Sequence, residues 1–119
     1  MNDNYNNNNP LGTFIIDFQT TTYEPDAKIA NDLLLELQRR CELENQYALD
    51  PPMERAGWSF AKVFMSGQFV EKIRDIHGYE IERSKGRKFD DRFASWFASE
   101  LKRRGCGANI KLAPEMKEF

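Results

Sequence analysis

The sequence predicts a small, helix-rich α+β fold: an N-terminal strand, three to four helices and a short C-terminal strand beside the first. Three observations lead there. The run TFIIDFQ at residues 13–19 is β-branched and aromatic and lies between Gly12 and a threonine run, as a buried strand would. Apolar residues then recur at helical spacing in two long stretches, after Pro25 and after Asp90. The chain has 119 residues, 40% of them hydrophobic and 30% charged, enough for one core and too few for two.

Residues 1–12 read MNDNYNNNNPLG, a polar tract that buries too little to offset its ordering entropy, and the expectation is a flexible Asn-rich tail. Residues 13–119 are expected to form a single globular domain. After the strand, Pro25 and Asp26 suit the first turn of a helix, and Ala30, Leu34, Leu37 and Cys41 line one face, which predicts a helix over 26–47. Asp50, Pro51 and Pro52 turn the chain. From Met53 to His77 the spacing predicts two short helices: Trp58, Ala61, Phe64 and Met65 line one, Phe69, Val70, Ile73 and Ile76 the other, with a break at Ser66 and Gly67. A strand over Trp58–Met65 is the competing reading, because the same residues are aromatic and β-branched. Gly78 reads as a C-terminal cap and residues 79–88 as a basic connection. Asp90 and Asp91 open the clearest helix, with Phe93, Trp96, Phe97 and Leu101 inward and Lys102, Arg103 and Arg104 at its negative end before Gly105. Asn109–Ala113 is read as the final strand.

No apolar run is longer than three residues, as in Leu33–Leu35, far from the ~18 residues of a membrane span. No basic start followed by an apolar stretch suggests export, so no membrane association and a cytoplasmic location are expected. Cys41 and Cys106 have no second Cys or His at metal-ligand spacing, and both read as small buried hydrophobes, with Cys106, between Gly105 and Gly107, the more exposed. No metal site and no cofactor are expected.

Phe14–Thr22, reading FIIDFQTTT, resembles the first motif of the proofreading-exonuclease superfamily, an apolar strand ending in a metal-binding Asp with a Glu two positions later. Here that second position is Gln19, whose neutral amide cannot complete the carboxylate pair for a hard cation. The strand also resembles the phosphate loop of actin-like ATPases, with Gln19 in place of the required glycine. Asp17 is therefore read as ending a core strand, and no magnesium- or manganese-dependent nuclease activity is expected. His77 is the sole histidine and reads as a helix-end residue, although Tyr79, Glu80 and Glu82 stand close in sequence. Asp90 and Asp91 read as first-turn residues rather than metal ligands. A helix-turn-helix drawn through Gly67 would turn Glu71 and Asp75 toward phosphates, which disfavours it. No catalytic residues are assigned.

Charge is unevenly spread. Residues 1–56 hold four basic and ten acidic side chains, residues 57–119 thirteen and nine. Arg83, Lys85, Arg87 and Lys88, with Arg92 just beyond, form a basic loop able to meet several phosphates, flanked by Tyr79 and Phe89 as stacking groups. The 15 aromatic residues are many for one small core; core burial is the commoner reading for Trp58 and Phe60, after the proline turn and Gly57, but any excess is expected there, as an exposed partner-binding patch. The sequence thus favours a non-catalytic binding or regulatory protein, of inhibitor or adaptor type, working through protein surface contacts. The alternative is a nucleic-acid-binding module using Arg83, Lys85, Arg87, Lys88 and Arg92.

Overall fold

The computed structural model describes residues 13–113; the expected Asn-rich tail, residues 1–12, lies outside them. In chain order the elements are β1 (Thr13–Thr20), α1 (Tyr23–Arg40), β2 (Tyr47–Leu49), β3 (Met53–Arg55), β4 (Trp58–Ser66), α2 (Gly67–Glu82), α3 (Phe89–Arg103) and β5 (Asn109–Leu112). All strand pairs are antiparallel, in the order β2-β4-β1-β5, with β3 also on β4 beside β2. If β2 and β3 count as one interrupted strand and α2 with α3 as one crossover, this is the split β-α-β connectivity of ferredoxin-like folds. Such connectivity fixes no function.

The α+β class holds, but the strand content is larger than the sequence suggested. Trp58–Ser66 is a strand, not a helix, and Tyr47–Leu49 and Met53–Arg55 are strands as well. The two periodicities compete along WSFAKVFMS because both faces carry apolar side chains. Pairing decides between them: β4 runs beside β1 from Thr13↔Ser66 to Thr20↔Ser59 and closes on β3 through a turn at Ala56 and Gly57, both with positive φ. Two successive left-handed residues give the twist that tight hairpins require. The helix-turn-helix reading around Gly67 fails for the same reason.

The break at Ser66 is real and is a strand-to-helix junction. The Ser66 hydroxyl caps α2 by accepting from the Phe69 N–H at 3.1 Å. Gly78 does not end this helix; the chain continues helically to Glu82 through a kink at His77, where φ is −114° and ψ is 19°. The first helix ends at Arg40, seven residues before the expected Tyr47, and Glu42 and Asn45 take positive φ as the chain turns into β2. Helix α3 matches its expected span, with Asp90 and Asp91 in its first turn, Lys102 and Arg103 in its last and Gly105 at φ +91° beyond it.

One hydrophobic cluster joins the inward residues of β1 and β4 (Ile16, Phe18, Ala61, Val63, Met65) to those of all three helices, among them Leu34, Phe69, Ile73, Phe93, Trp96 and Phe97. The predicted inward faces of α1 and α3 are buried as expected, whereas Ile76 is exposed. Every helix therefore lies on one side of the sheet. Since strand side chains alternate, the residues between these inward positions face the other side, which no described element covers.

Candidate protein-binding face

The uncovered face is built by register. Lys111, Asp17 and Lys62 form one row across β5, β1 and β4; Asn109, Gln19, Phe60 and Met53 form the next, extending to β3. Trp58 and Arg55 stand at the hairpin end, Ile15, Phe64 and Ala48 at the other. The two aromatic residues singled out from the sequence thus project side by side: Trp58 is 38% exposed and Phe60 37%, beside Met53 at 71%.

A hollow of about 330 Å³ opens between Phe60, Met53 and Pro51 on its apolar side and Asp17, Gln19, Asp50 and Lys62 on its polar side. Lys62 Nζ donates to Asp17 Oδ1 at 2.7 Å, and the Lys62 N–H donates to Asp50 Oδ1 at 2.6 Å. Asp17, the residue of the exonuclease-like motif, is thus an ion-pair partner on an open sheet. Among the described residues no group of three His, Cys, Asp or Glu side chains is arranged to hold a metal ion.

The basic residues gather elsewhere, at the start of α3. Arg92 staples the 83–88 connection, donating to the carbonyls of Gly86 at 3.3 Å and Arg87 at 2.9 Å and pairing with Glu82 at 3.5 Å. Arg83 lies over the ring of Tyr79 and donates to its hydroxyl at 2.8 Å. Lys85, Arg87 and Lys88 are exposed and form no ion pair among the described residues. Phe89 does not stand free to stack on a base: it packs against the core and Phe93, with Arg74 over its ring.

His77, expected at a helix end, sits in the kink of α2. Its ring lies 5.1 Å from that of Trp96, with Nδ1 3.0 Å from Glu80 Oε1 and Nε2 3.0 Å from Arg40. Glu80 also accepts from Trp96 Nε1 at 3.3 Å, and the hydrogen bond from His77 is the main reason its carboxyl is held below the ordinary glutamate value, against the opposing effect of burial. These contacts tie α2 to α3 and to the end of α1. Both thiols are buried as expected, but Cys106 is no more exposed than Cys41, because residues 104–108 fold back over the start of α1; burial raises both thiol pKa values and weakens them as nucleophiles.

No protein-family model matches the chain, and neither a curated protein nor a solved structure matches it. No helix of the described residues is long and apolar enough to cross a membrane.

Proposed function

We propose that this chain is a non-catalytic, cytoplasmic binding protein of inhibitor or adaptor type that docks a protein partner on its open sheet face. The observation that carries the reading is the exposed trio Trp58, Phe60 and Met53 beside a polar border of Asp17, Gln19, Asp50 and Lys62. An apolar centre with a polar rim is the usual anatomy of a protein interface, and aromatic anchors commonly dominate its binding energy. Two carboxylates in the hollow oppose phosphate, which favours a protein over a nucleic acid at this face. The second reading, nucleic acid on Arg83, Lys85, Arg87, Lys88 and Arg92, draws support from exposed Lys85, Arg87 and Lys88, which have no ion-pair partner among the described residues, although Arg83 is held by Tyr79 and Arg92 is engaged in holding the loop.

The test compares wild type with Phe60→Ser and Trp58→Ser in affinity capture from the native host, with and without nuclease, after circular dichroism has verified folding. Nuclease-resistant protein partners lost in both variants are expected. Capture that disappears with nuclease, or that survives both substitutions, overturns the reading.

A further inference from the structure

Among the described residues the sheet has an unpaired edge at β5. The N–H of Ala113 donates to the carbonyl of Ile15 at 3.1 Å, which makes that pair a hydrogen-bonded one in the antiparallel ladder. With Ile16↔Leu112 and Phe18↔Ile110 in register, the alternation of such a ladder turns the N–H and C=O groups of Ile110 and Leu112 away from β1. No described strand lies on that side. A groove of about 790 Å³ runs along it, walled by Ile110 and Leu112 on one flank and by Ala94, Ser95, Ala98 and Ser99 of α3 on the other. Small side chains on that helix face leave room for a backbone between helix and strand.

The charge of the groove selects an occupant. Arg83, Lys85 and Lys111 line it against the single carboxylate of Asp91, while the chain as a whole is net −2. Gly86 sits at the end where α3 begins, so close to the helix that a Cβ there would come within 2.6 Å of Asp91 Cβ and 2.8 Å of the Arg92 nitrogen. The Arg92 staple and this tight packing hold the basic loop against the mouth of the groove.

We propose that this groove is a second binding site, distinct from the open sheet face, that takes an extended acidic peptide as an added strand on β5. The peptide backbone pairs with the outward groups of Ile110 and Leu112. One set of its alternating side chains lies over Ala94 and Ala98 and accepts small apolar residues; the other faces Lys111 on the open side of the sheet. Acidic residues at its end meet Arg83 and Lys85. Strand addition of this kind draws affinity from main-chain hydrogen bonds and specificity from alternate side chains. Single-stranded nucleic acid lacks a backbone that pairs with a strand edge, and the outward N–H and C=O groups favour the peptide.

The experiment titrates the full chain with three fluorescein-labelled probes: an octapeptide of alternating valine and glutamate, its valine–lysine counterpart, and single-stranded oligo(dT). Amide hydrogen exchange is followed by NMR. Expected is saturable binding of the acidic peptide alone, with at least tenfold slower exchange at Ile110 and Leu112. Leu112→Pro removes an outward N–H while leaving the bonds to β1 in place, and Ala98→Gln fills the groove from the helix side; each should weaken binding at least tenfold with the fold intact by circular dichroism. Replacing Arg83 and Lys85 with serine should weaken it several-fold and flatten its salt dependence. Failure of the acidic peptide to bind at millimolar concentration overturns the proposal. So does equal binding of the lysine peptide, binding unaffected by both Leu112→Pro and Ala98→Gln, or binding of oligo(dT) alone.

Discussion

The carboxylate of Asp26, in the first turn of α1, accepts a hydrogen bond from the backbone N–H of Gly107 at 2.9 Å, across 81 positions of sequence. It also accepts from the hydroxyls of Thr20 and Thr22, the latter at 2.8 Å, while the Cys106 thiol lies 3.8 Å from the Asp26 carbonyl oxygen. A side chain only 3% exposed thus ties the end of β1, the start of α1 and the connection between α3 and β5 at one point. Burial alone would raise its pKa. The hydrogen bonds from Thr20, Gly107, Thr22 and Cys106 together outweigh burial and hold it below the ordinary value of 3.8.

Asp26→Ala should therefore lower stability by about 2–3 kcal/mol, because a hydrogen-bonded charge is removed and the Gly107 N–H and Thr20 hydroxyl lose their acceptor. Urea denaturation at neutral pH measures this directly. A loss under ~0.5 kcal/mol would show that water replaces the carboxylate without cost.

The same group sets a pH dependence. A carboxyl whose pKa is lower in the folded state binds fewer protons there than when unfolded, so its stabilisation is complete above the ordinary value of 3.8 and disappears as pH falls through the depressed native value. Denaturant midpoints measured from pH 6 to pH 2 should fall less steeply in Asp26→Asn than in wild type. Parallel slopes would contradict the assignment.

Phe60 of β4 and Phe18 of β1 are one register position apart on neighbouring strands and so face opposite sides of the sheet: Phe60 is 37% exposed on the open face, Phe18 fully buried beneath the helices. Phe60→Ser should change stability by less than ~1 kcal/mol, whereas Phe18→Ala should cost about 3–5 kcal/mol. Against a protein partner, once captured, Phe60→Ser should cost about 2 kcal/mol or more of binding. Comparable stability losses at both positions would mean that the open face is covered.

Gly86 has φ +140°, and an added Cβ would strike the Asp91 side chain and the backbone of α3. Gly86→Ala should destabilise by about 1–3 kcal/mol and shift the resonances of residues 83–92. Gly57, equally left-handed at φ +84° but with nothing within 4 Å, serves as the control in which only conformational strain acts.

Both thiols are buried with raised pKa values, so labelling of Cys41 and Cys106 by a disulfide reagent under native conditions should proceed orders of magnitude more slowly than in denaturant. Rapid native labelling of Cys106 would show that residues 104–108 open readily.

The sequence by itself determined the elements whose pattern admits one reading. The aromatic and β-branched Thr13–Gln19, isolated by Gly12 and the threonines, has no helical face to offer, and it is β1. The repeats of Ala30, Leu34, Leu37 and Cys41 and of Phe93, Trp96, Phe97 and Leu101 have no strand alternation, and these residues are buried faces of α1 and α3. The surplus of aromatic residues after a turn pointed to Trp58 and Phe60 as the ones to be exposed if any were, but local pattern favoured the core for both, and only the strand register put them on the open face. Only the tertiary structure decided that Trp58–Ser66 is the strand beside β1. Its apolar residues satisfy helical and strand periods alike, and a ladder to β1, 38 positions or more away, supplies hydrogen bonds that no local pattern records. The same holds for β2 and β3, three residues each, which exist because β4 offers an edge. It holds for Asp26, read locally as a helix-start charge and in fact the acceptor for a backbone group from the far end of the chain. It holds finally for the groove at β5, since a free edge is a property of which strands pair, and pairing between distant segments is a tertiary fact.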